Sequence, residues 1–269
     1  MTNLSYCAET VRKYDPDRFL LSLFAAPACR EALFALYAFN YEIAKTREVV
    51  TETQLGLIRQ QWWRDALAGV YEHGKVLEHQ VLQPLAAAIK THDLPREAFD
   101  NLIYAREFDL EDRLPATLEG LVKYAEYTSA PLLSLSLKIQ GVTAEQPQVD
   151  KIATAYALTG LMRAIPVHLS QRRCYMPENL VQRQQVTVYD LYDGTGIAKL
   201  PAVVAEVAGV AEKLLQDAGA MCHPFLKRQA KLAALYLSQM KSQEYDVFSN
   251  KLAAPPALRE LRVWWAGIF

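Results

Sequence analysis

The stretch CREALFALYAFNYEIAKTR, from Cys29 to Arg47, carries the pattern that decides the fold. Its apolar residues recur every three or four positions, which is the spacing of one face of an α-helix. The predicted stripe consists of Leu33, Leu36, Tyr37, Asn40 and Ala44. We therefore expect an amphipathic helix here, with this stripe facing a core.

The same period continues through most of the chain. Leu55 to Tyr71 is predicted as a second amphipathic helix, with the stripe Leu55, Ile58, Trp62, Leu67 and Val70. Further helices are predicted at Leu77–Thr91, Arg96–Leu110, Leu118–Gln140, Gln148–Met162, Ala202–Met221 and Pro224–Phe248. The one long loop expected runs from Pro177 to Leu200. Because no alternating apolar and polar pattern predicts a β-strand, we expect a single all-α domain over residues 1–269.

Composition excludes several classes of protein. The chain has 269 residues, of which 51% are hydrophobic and 22% charged, as expected of a globular chain with a sizeable core. Its net charge of −1 argues against a nucleic-acid partner, because binding to a phosphate backbone normally requires a basic excess. The four cysteines, including Cys222, form no CxxC pair, so neither a zinc site nor a disulfide framework is predicted.

Location is predicted from two further features. No run approaches the roughly 20 apolar residues that a membrane-spanning helix needs. The first 19 residues contain Glu9, Asp15 and Asp17 and no apolar core, which fits neither a secretory signal nor an organellar presequence. We expect a cytoplasmic chain; a mitochondrial matrix location would require that a presequence has been removed.

Four segments together carry a resemblance to a known family. They are Arg30–Phe39 (REALFALYAF), Gln61–Arg64 (QWWR), Arg106–Tyr124 (REFDLEDRLPATLEGLVKY), and Arg163 with the following Arg173–Pro177 (RCYMP). This ordered set resembles the squalene/phytoene synthase family. The resemblance implies an isoprenoid-synthase-like helical bundle around a central cavity. It also implies head-to-head joining of two prenyl diphosphates, with magnesium held by two aspartate motifs.

The two aspartate motifs are degenerate in this sequence. Carboxylates four residues apart lie one helical turn apart on the same face, where they can hold a metal ion together. By the resemblance, the first motif falls on Ala44 and Glu48, with Lys45 at an extra aspartate position. The second falls on Ala164 and His168. Since one of four expected carboxylates remains, we predict that the chain lacks the family's activity and needs no cofactor.

A narrower resemblance indicates a different role. Phe34–Ala44, Gly56–Trp63, Tyr124–Leu133 and Gly160–Pro177 are similar to the non-catalytic branch of the family that includes assembly factors of respiratory complex I. The branch implies a scaffold that assists assembly of NADH:quinone oxidoreductase, peripheral on the inner face of the membrane. Its partner would be a complex I subunit or another membrane-protein client. The alternative is an active farnesyl or geranylgeranyl diphosphate transferase, which would require Mg²⁺. Pro166 argues against it, because a proline distorts the helix that the second motif should share.

Candidate ligand-binding residues lie where the resemblance places the lost metals and around them. They are Arg30, Tyr37, Lys45, Arg47, Glu48, Asp109, Arg163, His168, Arg173 and Tyr175. We hypothesise that the basic members replace magnesium as counter-charge and bind a phosphate or headgroup of a phospholipid or prenyl lipid. The alternative is that they are solvated or paired surface charges.

Two further segments have more than one interpretation. The acidic run from Glu107 to Asp112 could suggest a metal site, but a solvated or salt-bridged helix end is the favoured interpretation. The C-terminal stretch Val263–Phe269 (VWWAGIF) is strongly apolar. It either packs on the body of the protein or contacts a membrane or a partner.

Overall fold

The computed structural model describes residues 4–111, 113–221 and 223–268. Asp112 of the acidic run, Cys222 and the terminal Phe269 lie outside the described residues. Within them the regular secondary structure is helical and no β-strand occurs, so the all-α prediction is confirmed. The central cavity implied by the resemblance stays a prediction.

Fifteen α-helices are present in the described part of the chain. They are α1 (Tyr6–Tyr14), α2 (Pro16–Leu23), α3 (Pro27–Ala44), α4 (Thr46–Val49), α5 (Thr53–His73), α6 (Leu82–His92), α7 (Arg96–Ala105), α8 (Leu118–Ile139), α9 (Gln146–Arg163), α10 (Ile165–Ser170), α11 (Glu178–Arg183), α12 (Val188–Tyr192), α13 (Leu200–Asp217), α14 (Pro224–Ser242) and α15 (Arg259–Ala266). Short 3₁₀ turns occur at Phe108–Leu110, Ile197–Lys199 and Asn250–Leu252.

All eight predicted helices are present, with different ends. The helix predicted to reach Leu110 ends at Ala105 and is followed by a 3₁₀ turn, and the last predicted helix ends at Ser242. The expected loop from Pro177 to Leu200 was wrong, because it contains α11 and α12. Helix α12 begins with a capping box, in which Thr187 and Asp190 satisfy each other's backbone N–H groups. Such local hydrogen bonds stabilise helices too short to show a period.

The chain divides into two compact units. One comprises Met1–Glu111 with Pro131–Ala144, and the other comprises Asp112–Ala130 with Glu145–Phe269. The single domain over residues 1–269 stays a prediction.

Helix α3 is the centre of the first unit. Every residue from Leu33 to Asn40 is buried, so the expected amphipathic stripe was wrong for this helix. Helices α1, α2 and α6 pack against it. Phe39 lies edge-on to the rings of Trp63 and Phe99, at centroid distances of 5.2 and 5.4 Å. A helix apolar on all sides is one buried in a core.

Helix α5 buries a different face from the one predicted. Leu55, Ile58 and Trp62 of the predicted stripe are exposed, whereas Gly56 and Gln60 are buried with Trp63, Ala66 and Leu67. The amide Nε2 of Gln60 donates to the carbonyl of Ile43 at 3.1 Å, in the last turn of α3. Helix ends leave carbonyls without helical partners, so a buried glutamine is stabilised there.

Close packing also selects this face of α5. A Cβ added at Gly56 would lie 2.5 Å from Cδ2 of Leu110, a buried residue of the 3₁₀ turn after α7. Because Gly56 has no side chain, the backbone of α5 can lie close to the Leu110 side chain at this point. A hydropathy pattern counts glycine and glutamine as weak core residues, which is why the predicted stripe had the wrong orientation.

In the second unit, α9 lies against α13 and α14, and α15 packs on α14. Val149, Ile152, Leu158 and Met162 of α9 are buried. This packing fixes the C-terminal end of α9, where the second motif position begins.

Candidate functional site

The first motif position lies at the C-terminal end of α3. This helix ends at Ala44, Lys45 is its cap residue, and the short helix α4 begins at Thr46. The backbone N–H of Glu48 donates to the carbonyl of Lys45 at 2.8 Å, so the turn is tighter than an α-helical turn. Ala44 and Glu48 therefore do not belong to one continuous helix. A helix C-terminus carries partial negative charge, which favours a cation such as Lys45 over a carboxylate.

A buried glutamate compensates the basic residues at this position. Glu42 of α3, whose side chain is 6% exposed, accepts a hydrogen bond from Nζ of Lys45 at 2.6 Å. Its other oxygen accepts from Nη2 of Arg59 on α5 at 2.7 Å. The Lys45 ammonium also lies 4.8 Å from the centroid of the Tyr41 ring, which stacks on Tyr14 at 4.3 Å. Lys45 is thus held in an internal ionic network, here called the Glu42 network (Glu42, Lys45 and Arg59).

The Glu42 network was missed by the sequence analysis. Glu42 and Lys45 are three residues apart on one helix, which is the spacing of an ion pair and could have been noticed. Arg59 is 17 residues away in the chain, and no sequence feature placed it beside them.

Two basic candidates in the first unit, Arg47 and Arg30, have local partners. Nη1 of Arg47 donates to the carbonyl of Val50 at 3.0 Å, and Nε of Arg30 donates to the carbonyl of Ala25 at 3.1 Å. Glu48 is exposed. Arg30 and Arg47 therefore each donate to a carbonyl of a nearby turn, and their role in binding a ligand stays a prediction.

Tyr37 and Asp109 are buried in the first unit. The hydroxyl of Tyr37 donates to Oγ of Ser136 at 2.9 Å, and burial raises the pKa of Tyr37 to about 12. Asp109 accepts from Nη1 of Arg106 at 3.4 Å and has a side chain 6% exposed. The interpretation of the acidic run as a salt-bridged helix end is confirmed for Asp109, and also for Glu107, which pairs with Arg64.

The second motif position lies between α9 and α10. Helix α9 ends at Arg163, Ala164 is the cap residue, and Pro166 lies in the first turn of α10. The predicted interruption of the helix is therefore present. The N–H of His168 donates to the carbonyl of Ala164 at 2.9 Å, so these two positions do lie one turn apart.

His168 is an uncharged residue in an aromatic cluster. Its ring lies 4.8 Å from that of Tyr175, which stacks on Tyr124 at 5.5 Å. Burial, reinforced by the positive charge of Arg173, lowers the pKa of His168 to about 4. A neutral imidazole supplies no counter-charge at neutral pH, so His168 does not act as the basic group that the hypothesis required.

Arg163 contacts the C-terminal part of the same unit. Its guanidinium carbon lies 3.4 Å from the centroid of the buried Tyr236 ring on α14. The Tyr236 hydroxyl in turn accepts from Nη1 of Arg259 at 3.3 Å. A planar guanidinium over an aromatic face is a favourable cation–π arrangement. Arg163 is thus oriented by stacking.

The candidate residues fall into two groups. Arg30, Tyr37, Lys45, Arg47, Glu48 and Asp109 belong to the first unit, and Arg163, His168, Arg173 and Tyr175 belong to the second. Within the second unit, the structure brings His168, Arg173 and Tyr175 together. A common ligand site formed by both groups stays a prediction.

The side chains at the motif positions do not fit magnesium. Mg²⁺ prefers carboxylate and other oxygen ligands in octahedral geometry. The first position offers Ala44, Lys45 and an exposed Glu48, with Glu42 already in two ion pairs, and the second offers Ala164 and His168. Across residues 4–111, 113–221 and 223–268, no group of three or more His, Cys, Asp or Glu side chains could hold a metal ion.

Within the same residues, no helix is long and apolar enough to cross a bilayer.

Comparison with known proteins identifies related chains. The squalene/phytoene synthase family model matches residues 11–259. The Bos taurus protein "NADH dehydrogenase (ubiquinone) complex I, assembly factor 6" is 29% identical over 269 residues, covering 96% of this chain and 80% of the relative. Presqualene diphosphate synthase from Rhodopseudomonas palustris is 25% identical over 186 residues, covering 65% of this chain and 63% of the relative.

Solved structures agree on the fold. A crystal structure of a dehydrosqualene synthase in complex with ligand matches with a TM-score of 0.80 and 18% sequence identity, covering 98% of this chain and 94% of that chain. At this identity the match establishes the isoprenoid-synthase-like fold.

Proposed function

Because this chain belongs to the squalene/phytoene synthase family, we propose that it is a catalytically inactive member that assists assembly of respiratory complex I. Its client would be a complex I subunit or another membrane protein, met at the inner face of the membrane. The proposal has two parts, loss of prenyl transfer and gain of an assembly role, and different observations support them.

The Glu42 network is the observation that carries the first part. Ionising an allylic diphosphate places several negative charges on the leaving group, which Mg²⁺ held by carboxylates neutralises in active members. Here Lys45 occupies one of these positions and its charge is matched by Glu42. Glu42 itself is buried and shared with Arg59. The carboxylate at this place therefore already has two cationic partners.

The second motif position supports the same conclusion. Ala164 has no ligating group, and His168 is neutral and packed on Tyr175. A single imidazole without neighbouring carboxylates is a poor site for Mg²⁺, which prefers oxygen ligands. Neither motif position thus supplies the charge that the family's reaction requires.

The extent of similarity supports the assembly role. The complex I assembly factor matches 96% of this chain, whereas the presqualene diphosphate synthase matches 65%. The similarity to the assembly factor therefore extends through both compact units. A bound phospholipid or prenyl lipid in a cavity stays part of the proposal.

Diphosphate release tests the first part. The purified protein is incubated with farnesyl or geranylgeranyl diphosphate and Mg²⁺, beside an active family member as positive control. We expect no release from the unaltered chain, whose folding is checked by circular dichroism. Variants Ala44→Asp, Ala164→Asp and His168→Asp, singly and combined, show whether restored carboxylates are sufficient for activity. Steady release by the unaltered chain would overturn the proposal and favour the alternative prenyltransferase.

A deletion strain tests the second part. We expect membranes of the strain to lose NADH:quinone oxidoreductase activity and assembled complex I, and the wild-type chain to restore both. Glu119→Gln, which changes an exposed i,i+4 pair with Lys123, provides a matched control that should complement fully. Normal complex I in the deletion strain would refute the assembly role.

A further inference from the structure

The C-terminal helix α15 and the residues that flank it leave an apolar surface exposed. Its members are Leu258 (67% exposed), Leu261 (59%), Trp264 (45%), Trp265 (58%) and Ile268 (48%). Leu261 and Trp265 are four residues apart, the spacing of one helical face, and Ile268 follows in the turn after α15. We call these five residues the C-terminal apolar face. Exposed side chains of this size seldom cluster so densely on a surface that only contacts water.

The opposite side of α15 is packed on the protein. Val263 is fully buried, and α15 lies against α14. The backbone at Gly267 lies close to the guanidinium of Arg228 on α14, where a Cβ at position 267 would clash with it. Val263 therefore packs internally, as the first interpretation of the C-terminal stretch expects, while the C-terminal apolar face remains exposed. Contact of this face with a membrane or a partner stays a prediction.

The segment that carries this face is basic. Residues 223–269 contain seven Lys and Arg against three Asp and Glu, a net charge of +4 in a chain whose total is −1. Arg262 is exposed and adjacent to Leu261. The acidic residue of α15, Glu260, pairs with Arg259 at 2.7 Å, so its charge is locally matched.

We propose that the C-terminal apolar face binds the surface of a membrane that contains anionic phospholipids. Leucine and tryptophan side chains would enter the boundary between headgroups and acyl chains, with α15 lying in the plane of the membrane. Tryptophan combines a large apolar ring with a polar N–H and is enriched at this boundary. Amphipathic helices with basic residues beside an apolar face bind there by both hydrophobic and electrostatic attraction.

The charge pattern favours lipid over a second copy of the chain. Two copies meeting through this face would bring their basic regions together, and like charges repel at an interface. An anionic lipid surface complements the same charge. The inference rests on the proposed action at the inner face of the membrane and assigns the contact to a defined surface.

Vesicle binding tests this inference with the full chain. Co-sedimentation is measured with phosphatidylcholine vesicles with and without phosphatidylglycerol. We expect binding to the anionic vesicles that weakens as salt is added, because exposed charges are screened. The double variant Leu261→Ser/Trp265→Ser retains Val263 and hence the packing of α15. It should bind about 100-fold more weakly, since two large side chains no longer leave water.

Two further variants separate the contributions. Arg262→Gln should weaken binding to anionic vesicles about fivefold, the effect expected for one basic residue near a charged surface. Tyr104→Ser removes an equally exposed aromatic residue, 69% exposed on α7, and should bind like the unaltered chain. Circular dichroism and gel filtration verify that all variants are folded.

Three outcomes would overturn the inference. The unaltered chain could fail to bind anionic vesicles, or the double variant could bind them as tightly as the unaltered chain. The third outcome is that the unaltered chain is a dimer and the double variant a monomer, which would assign this face to contact between two copies. Failure here is distinguishable from failure of the proposed function. Vesicle binding is measured without complex I, and the deletion strain reports on complex I without reference to α15.

Discussion

Replacing Glu42 by Gln tests the internal ionic network at the first motif position. The substitution keeps the size of the side chain and removes its negative charge. Lys45 and Arg59 then lose the carboxylate that they contact at 2.6 and 2.7 Å. We expect the protein to fold with a lower free energy of unfolding.

The magnitude follows from the burial of the three side chains. Removing one partner of a fully buried ion pair costs about 3–5 kcal/mol, because the remaining charge stays uncompensated. Glu42 is 6% exposed, but the Lys45 and Arg59 side chains are 20% and 34% exposed and can recover part of their hydration. We therefore expect a loss of about 2–3 kcal/mol, between the values for buried and surface pairs.

Urea denaturation followed by circular dichroism measures this loss. Glu119→Gln is the control, since its pair with Lys123 is highly exposed and should contribute little to stability. In the double variant Glu42→Gln/Lys45→Met, the uncompensated ammonium is also removed. Part of the stability should return, and together with the single variant Lys45→Met the cycle should give a coupling energy of about 1 kcal/mol or more. A cost for Glu42→Gln no larger than that of Glu119→Gln would refute the argument.

Three other predictions concern the pH dependence and the packing. The pKa of His168 is about 4 in the folded chain and near 6.5 when unfolded, so the unfolded chain binds more protons between these values. The free energy of unfolding should fall by up to about 3 kcal/mol as pH drops from 6.5 to 4, and His168→Gln should remove most of this slope in pH-dependent urea titrations. Gly56→Ala should cost about 1 kcal/mol because its Cβ would meet Leu110, whereas in a Leu110→Ala background the same change should be neutral or stabilising by thermal denaturation. Trp63→Ala should cost about 3–5 kcal/mol and the neighbouring Trp62→Ala less than about 1.5 kcal/mol; equal losses would contradict the observed orientation of α5.

The helical segments and the lost motifs were predictable because both are local. A period of 3.6 residues is visible within one helix, and the residue types at Ala44, Glu48, Ala164 and His168 can be read directly. The helix interruption at Pro166 was also predictable, because proline lacks the N–H that a continuous helix needs. The short helices α11 and α12 were not, since one or two turns show no period.

The interpretation of the basic candidates depended on the burial and the partners of each side chain in the folded protein. Lys45 looked like a replacement for magnesium until the structure placed Glu42 and Arg59 around it. His168 looked basic, but its burial beside Tyr175 makes it neutral. The charge of a side chain, and whether it is free to bind a ligand, depend on the residues around it. In the folded protein those residues come from several helices.

The amino-acid sequence was sufficient to predict that the chain is helical, that it resembles the squalene/phytoene synthase family and that Ala44, Ala164 and His168 stand where the resemblance expects carboxylates. Only the folded protein shows that α5 buries Gly56 and Gln60 while Leu55 and Ile58 stay exposed, and that Arg59 shares the carboxylate of Glu42 with Lys45. Residue type and spacing fix backbone periodicity through local sterics and hydrogen bonding. Which face becomes buried, and which charges are compensated, depends on the shape and free polar groups of neighbouring helices, which are formed only when the chain has folded.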